Sequence, residues 1–268
     1  MSTLLLVHAH PDDESILTGG VIALAARDGH RVVLVTATLG ENDDGTNVDG
    51  TTAGTELSEL RRQELEAACV TLGVDRLELL GYHGCGFGSD GASPNRRLLH
   101  AAPVAEVAER LASVLRDERP DVVVTYGADG TYGHPDHVMT HRATLAALEM
   151  VAKDGWAPAK VYLHAVPRSL VEIVVEAART GSIDLPRDLA HAAGTPDDYI
   201  TTVVDVSAVL DRKLAATVEH GSQMHTGLPL AAMAAGVFDT VFGVERFVLA
   251  GPEPGEQRTE TSLFSGLH

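Results

Sequence analysis

Two short segments of this chain crowd imidazole and carboxylate groups together. His8-Ala9-His10-Pro11-Asp12-Asp13-Glu14 lies near the N-terminus, and Tyr132-Gly133-His134-Pro135-Asp136-His137 lies mid-chain. Zinc takes histidine nitrogen and carboxylate oxygen, and catalytic zinc sites use three protein ligands and keep a position for water. Pro11 fixes one backbone dihedral and stiffens the first segment. Of its adjacent carboxylates, one can bind metal while another faces water as a base. Asp12, Asp13 and Glu14 would equally serve to cap a following helix, whose first amides and dipole favour anions. The first segment alone leaves both readings open. The second segment tips the balance, because a repeated His-Pro-Asp element at the end of another strand is hard to explain as surface decoration.

The elements that must position these segments alternate between short β-branched apolar runs and longer periodic stretches. Strands are expected at Leu4–Ala9, Val32–Thr38, Arg76–Tyr82, Asp121–Tyr126 and Val161–Val166. Helices are expected at Glu14–Asp28, Glu56–Leu72, Ala101–Asp117 and Asp136–Val151. This rhythm implies parallel strands joined by right-handed crossovers. The expected class is α/β, a three-layer Rossmann-like, mostly parallel sheet with helices on both faces. Such sheets bind ligands beyond the carboxyl ends of their strands, so the His10 and His137 segments should emerge at one edge. The last third reads as a helix at Arg168–Arg179, a strand at Tyr199–Val206, a helix at Ser207–Glu219 and a strand at Val244–Ala250, with a polar tail after Pro252. Leu39–Thr55 is a long loop rich in Gly, Asp and Thr, of a length typical of functional lids or disordered segments.

The chain has 268 residues, 44% apolar and 22% charged, as in an ordinary globular protein. No clean linker divides it, so a single domain, residues 1–268, is expected. Residues 1–166 would carry the metal site, and residues 167–268 would complete the substrate pocket. A formal charge of −18 repels phosphate backbones, so nucleic acid is excluded as a natural partner. No apolar run approaches the roughly 20 residues a membrane helix needs. The start, Met1-Ser2-Thr3-Leu4, lacks the basic stretch and cleavage site of a signal peptide, and a cytoplasmic location is expected. Cys69 reads as a small buried hydrophobe. Cys85 sits in a glycine-rich stretch, where no adjacent residue would activate its thiol.

The strings AHPDDE (Ala9–Glu14) and GHPDH (Gly133–His137) resemble the LmbE-like, or PIG-L, family of zinc-dependent deacetylases. The resemblance extends to Thr36–Glu41, to Arg61–Leu65 with Ala68 and Leu72–Val74, and to Leu80–Tyr82. It also takes in Lys213, His220, Ser222 and Gln223, which match a K…H.SQ pattern. It implies His10, Asp13 and His137 as zinc ligands and Asp12 as the general base toward a zinc-activated water. It implies a positively charged His134 that stabilises the oxyanion or protonates the leaving amine. Asp136 would orient His134, and Tyr132 would polarise the amide carbonyl. Arg61 and Glu64 match positions near the substrate pocket. Two positions depart from the family: Gly84 replaces an aspartate, and apolar Leu17 stands where mycothiol-pathway members carry a polar or basic residue. His220 reads either as a site residue or as a histidine interacting with a helix C-terminus.

The implied activity is removal of an N-acetyl or other N-acyl group from an amino sugar or sugar-containing metabolite. An amidase of the same mechanism acting on a larger thiol-sugar or natural-product conjugate is the alternative. A Rossmann-like binding module with a structural metal is the alternative of another class; it would need a fourth protein ligand. The implied cofactor is Zn²⁺, with Fe²⁺, Co²⁺ or Mn²⁺ accepted by the same donors. The partner would be a small amino-sugar substrate, and a homo-oligomer is compatible with the chain. Gly86–Gly91 fits G-x-G-x-x-G but runs into Pro94 instead of opening a helix, which argues against a dinucleotide site.

Overall fold

A computed structural model describes residues 1–40, 52–85, 97–181, 192–223, 242–251 and 259–267. Residues 41–51 of the expected lid segment and the whole Gly86–Gly91 run lie outside these residues. Strands and helices alternate as β1 (Thr3–His8), α1 (Asp13–Arg27), β2 (Arg31–Thr38), α2 (Thr52–Leu72) and β3 (Arg76–Tyr82). They continue with α3 (Val104–Glu118), β4 (Val122–Tyr126), α4 (Gly130–Gly133, a distorted single turn), α5 (Pro135–Lys153) and β5 (Lys160–His164). The last third contributes α6 (Arg168–Arg179), β6 (Thr202–Asp205), α7 (Leu210–Glu219) and β7 (Val244–Leu249).

Among the described residues the strands form one seven-stranded sheet in the order β3-β2-β1-β4-β5-β7-β6. The first five in sequence pair in parallel, and β7 runs antiparallel to both β5 and β6. The reason lies in the alternation of side chains across a strand. Leu4 and Leu6 join Ile22, Leu65, Leu72 and Ala216 on one face, under α1, α2 and α7. Leu5 and Val7 join Val107, Leu111, Met139 and Ala143 on the other, under α3 and α5. Because both faces are covered, the strands read as unbroken apolar runs. Each fully buried leucine or valine contributes about 1.5–3 kcal/mol.

Three sequence expectations shift. α2 begins at Thr52, four residues earlier than its first strongly periodic residue Glu56. The expected Tyr199–Val206 strand shortens to β6, because Asp197–Tyr199 winds into a 3₁₀ turn. The end of the chain is packed where a polar tail was expected. Leu263 is buried, Phe264 stacks on His30 at 3.8 Å, and Glu260 accepts hydrogen bonds from Lys160 Nζ (2.6 Å) and Tyr162 Oη (2.5 Å). No described helix is long and apolar enough to cross a membrane.

The C-terminal third is tied to the N-terminal half by a buried charge. Glu245 on β7 accepts the Gly20 and Val21 amides of α1 at 2.7 and 2.9 Å and the Lys213 ammonium of α7 at 2.7 Å. Both charged side chains are almost fully excluded from water. Removing one partner of such a pair leaves an uncompensated buried charge. Lys213→Met is therefore expected to destabilise the fold by about 3–5 kcal/mol in urea unfolding. A loss under about 1 kcal/mol would mean that Glu245 sheds its charge, or reaches water, on losing the lysine.

Candidate metal centre

In this sheet β2 and β4 flank β1 on opposite sides. The chain leaves β1 in one direction and returns at β4 from the other, which opens a crevice beyond their carboxyl ends. His10 to Asp13 follow β1, and the Tyr126–His137 connection follows β4. The two histidine segments therefore meet at the switch point.

They meet closely. His10 Nδ1 lies 3.3 Å from His137 Nε2, and Asp13 Oδ2 lies 3.5 and 3.4 Å from these two nitrogens. Ligands held at about 2.0–2.1 Å from one cation at tetrahedral angles are separated by about 3.3–3.4 Å. The far side of each ring fixes its tautomer. His10 Nε2–H donates to Asp136 Oδ2 (3.2 Å), and His137 Nδ1–H donates to the Gly130 carbonyl (3.2 Å). A neutral imidazole with one nitrogen protonated presents a bare lone pair at the other. Two such lone pairs and a carboxylate oxygen converge on one point, and a divalent cation fits this donor set. Burial alone would raise the Asp13 carboxyl, but the His137 and His10 rings hold it well below the usual carboxylate range.

The supporting contacts are specific. Tyr126, the last residue of β4, donates to Asp13 Oδ2 at 2.6 Å, accepts the Ala9 amide at 2.7 Å and stacks on His137 with ring centres 4.1 Å apart. Gly130 sits at φ +64, and a Cβ there would meet His137 Cβ at 2.9 Å. Only glycine brings its carbonyl this close to the ring. The Asp136 carboxylate also accepts the Cys85 amide (2.8 Å) and the His100 amide (3.1 Å). This corrects the role expected of Asp136: its carboxylate orients His10, while its backbone N–H donates to His134 Nδ1 (3.2 Å).

His134 lies with His10 and His137 in one buried group whose ligand atoms fall within 4.8 Å of one another. With Nδ1 occupied as an acceptor, the proton of the neutral ring sits on Nε2. Burial, with the His10 and His137 rings nearby, pushes its pKa down to about 3. This shift favours a neutral hydrogen-bond donor over the expected positive charge. Tyr132 packs edge-on against His137 (5.1 Å) and His134 (6.0 Å), at the rim.

Asp12 adopts φ 104, a left-handed conformation that strains a non-glycine residue. The strain is held by Glu14, whose Oε2 accepts the Asp12 amide at 3.0 Å. Glu14 is itself buried and takes Ser15 Oγ–H (2.5 Å) and His220 Nε2–H (2.7 Å) on its other oxygen. His220 is therefore a support two contacts behind Asp12. The Asp12 side chain remains a quarter exposed, and its Oδ2 lies 4.0 Å from Arg61 Nη2. Burial and the Asp13 charge push its carboxyl up to about 7 against the pull of Arg61.

Arg61 is fully buried and donates to the carbonyls of Gly40 and Pro11, so it braces the turn from behind. Glu64 accepts Ser222 through both its amide (2.8 Å) and its hydroxyl (2.7 Å), fastening the end of α7 to α2. At Gly84 a Cβ would lie 2.9 Å from Gly40 Cα, so the family's aspartate cannot enter this backbone arrangement unchanged. Leu17 is half-buried in the second turn of α1. Sequence reasoning missed Tyr126 and the supporting use of Glu14. The one signal available for Tyr126 was its place at the carboxyl end of the strand beside β1.

Comparisons with known proteins place the chain beside deacetylases in sequence. The PIG-L family, described as GlcNAc-PI de-N-acetylase, matches residues 5–148, more than half of the chain. The chain is 37% identical to a 1D-myo-inositol 2-acetamido-2-deoxy-alpha-D-glucopyranoside deacetylase of Acidothermus cellulolyticus, over 99% of this chain and 95% of that protein. Among solved structures it is similar to the N,N'-diacetylchitobiose deacetylase of Pyrococcus horikoshii, with a TM-score of 0.58 and 21% identity over 99% of this chain and 86% of that one. It is equally similar to the 4-carboxy-2-hydroxymuconate hydratase of Pseudomonas putida KT2440, with a TM-score of 0.60 and 20% identity over 96% and 99% of the two chains. At these identities the solved structures establish the fold alone.

If Asp136 orients the His10 ring, Asp136→Asn loses the anionic acceptor that makes this imidazole a strong ligand. Zinc affinity, measured by competition with a chelator, is expected to fall about 10–100-fold. An unchanged affinity would reduce the Asp136–His10 contact to packing.

Proposed function

We propose, for a chain that belongs to the PIG-L family, that it is a metal-dependent hydrolase cleaving the acetamide of an N-acetylated amino sugar. The products are acetate and the free amine. The observation that carries this reading is the convergence of His10 Nδ1, His137 Nε2 and the Asp13 carboxylate within 3.5 Å of one another, beside a strained, partly exposed Asp12. A 2-acetamido-2-deoxyglucopyranoside of myo-inositol is the substrate to test first, because the relatives bear that name across nearly their whole length. Zinc suits the donor set best, although Fe²⁺, Co²⁺ or Mn²⁺ would fit it too.

His10, Asp13 and His137 would hold the ion. When bound, it acts as a Lewis acid, lowering the pKa of water and polarising a carbonyl. Asp12 faces the same crevice, reachable by water, and takes the proton of the attacking water. That proton is the one the departing nitrogen needs, because an amine cannot leave as an anion. His134 Nε2–H donates to the oxygen that gains charge as the carbonyl is attacked, and Tyr132 closes the rim beside it. Arg61, Glu14 and His220 keep Asp12 at its angle. The C-terminal third reaches this turn through His220, which bonds Glu14, and Ser222, which bonds Glu64, and these contacts support reading the chain as one domain.

The experiment compares variants in acetate release and in metal content. Asp12→Asn should retain its metal and lose about 10²–10⁴-fold in kcat/KM. His134→Ala should also retain metal and lose about 10²–10³-fold in kcat. His137→Ala should lose metal and activity together. Full activity in the Asp12 variant would remove it as the base. If His134→Ala sheds the metal, His134 is a fourth ligand and the site is a structural one.

A further inference from the structure

Around the same Asp136 carboxylate lies a second group of side chains whose types could hold a metal. Cys85, His100 and Asp136 each place a ligand atom within 4.8 Å of the others. Cys85 follows β3, His100 lies in the 3₁₀ turn Leu99–Ala101, and Asp136 opens α5. The two loop residues are held in place by backbone contacts. His83 N–H donates to Arg97 O, and Leu99 N–H donates to His83 O, both at 3.0 Å. Asp136 itself accepts the amides of both Cys85 and His100. The carboxylate is thus anchored to the two residues that would share an ion with it.

His100 Nδ1 is shielded from water and faces the Asp136 carboxylate, which pulls the imidazole pKa up. It stands 3.6 Å from Asp136 Oδ1. That distance makes a loose ion pair when the imidazole is protonated, and it is close to the separation of two ligands on one tetrahedral zinc. Cys85 and Asp136 are buried, whereas the His100 side chain is 26% exposed and gives a route of entry.

We propose that Cys85, His100 and Asp136 form a second divalent-cation site, selective for thiophilic ions such as Zn²⁺. A thiolate, a carboxylate and a neutral imidazole would balance the charge of the ion, and sulfur disfavours Mg²⁺ and Mn²⁺. Binding expels the Cys85 thiol proton to solvent. The two sites share Asp136, one oxygen of which serves the His10 ring. An ion drawing on the other oxygen weakens that support, so the two sites oppose each other, and by linkage the antagonism is mutual. The second site binds more weakly, since its carboxylate is already engaged. The proposal does not depend on the reaction assigned to the first site.

Cobalt titration of the full chain tests it. The first site offers no sulfur, so a sulfur-to-cobalt charge-transfer band in the near ultraviolet reports the second site alone. The band should appear after the first equivalent, vanish in Cys85→Ser and persist in Cys69→Ser. By equilibrium dialysis, the wild type should hold two zinc equivalents at saturation, and Cys85→Ser and His100→Ala one each. His137→Ala should lose the first equivalent and keep the band. A single equivalent in the wild type, or a band that survives Cys85→Ser, overturns the proposal. Failure to hydrolyse any amino-sugar amide would leave these counts unchanged, so the two readings fail separately.

Discussion

Two imidazole lone pairs and a carboxylate oxygen, packed within 3.5 Å of one another, make a strongly repulsive arrangement unless a cation sits among them. Much of the surrounding structure serves to hold those three groups there. Asp136 and the Gly130 carbonyl take the ring protons and so leave each imidazole a lone pair on the side of Asp13. Tyr126 pins the carboxylate from the sheet side. Desolvation strengthens every one of these contacts, because His137, Asp136 and Tyr126 are fully buried and little water competes. The same desolvation would penalise the arrangement heavily if any acceptor were missing.

The second constraint is the backbone at Asp12. A left-handed aspartate costs on the order of 1–3 kcal/mol. The Glu14 carboxylate offsets that cost by taking the Asp12 amide, and Glu14 is affordable in the core only because His220 answers its charge. Arg61 adds a cation beside the Pro11 carbonyl. The turn thus directs two neighbouring carboxylates apart: Asp13 toward the imidazoles and Asp12 toward the open crevice. This separation is what the bare His-Pro-Asp-Asp string suggested but did not explain.

How far the sequence was legible follows from where each interaction lies along the chain. Strands β1 to β5 were readable because strands covered on both faces must be continuously apolar, and α6 was readable residue for residue from its period. The direction of β7 was not, since antiparallel pairing to β5 leaves no mark in a short run such as Val244–Leu249. In the site, the repeated His-Pro-Asp element showed that the two segments belong together, but pairings across the fold stayed hidden. Asp136 was assigned to its sequence neighbour His134, whereas its carboxylate reaches His10, 126 residues away. Tyr126 looked like any strand-end aromatic. His220 was undecided between two roles until Glu14 was seen beside it, 206 residues earlier.

The fold by itself does not settle the reaction. A hydratase shares this architecture about as closely as a chitobiose deacetylase does, so the chemistry has to be argued from side chains. Here the argument turns on what surrounds the open side of the centre. A neutral donor at His134 and a carboxylate at Asp12 flank the same crevice, one suited to a developing oxyanion and the other to the proton that must travel from water to nitrogen. An amide needs both, because its carbonyl is weakly electrophilic and its nitrogen a poor leaving group. A cation held only for structure would need neither group. The strain carried at Asp12 would then have no purpose, and strained backbone positions of this kind persist where the surroundings hold them.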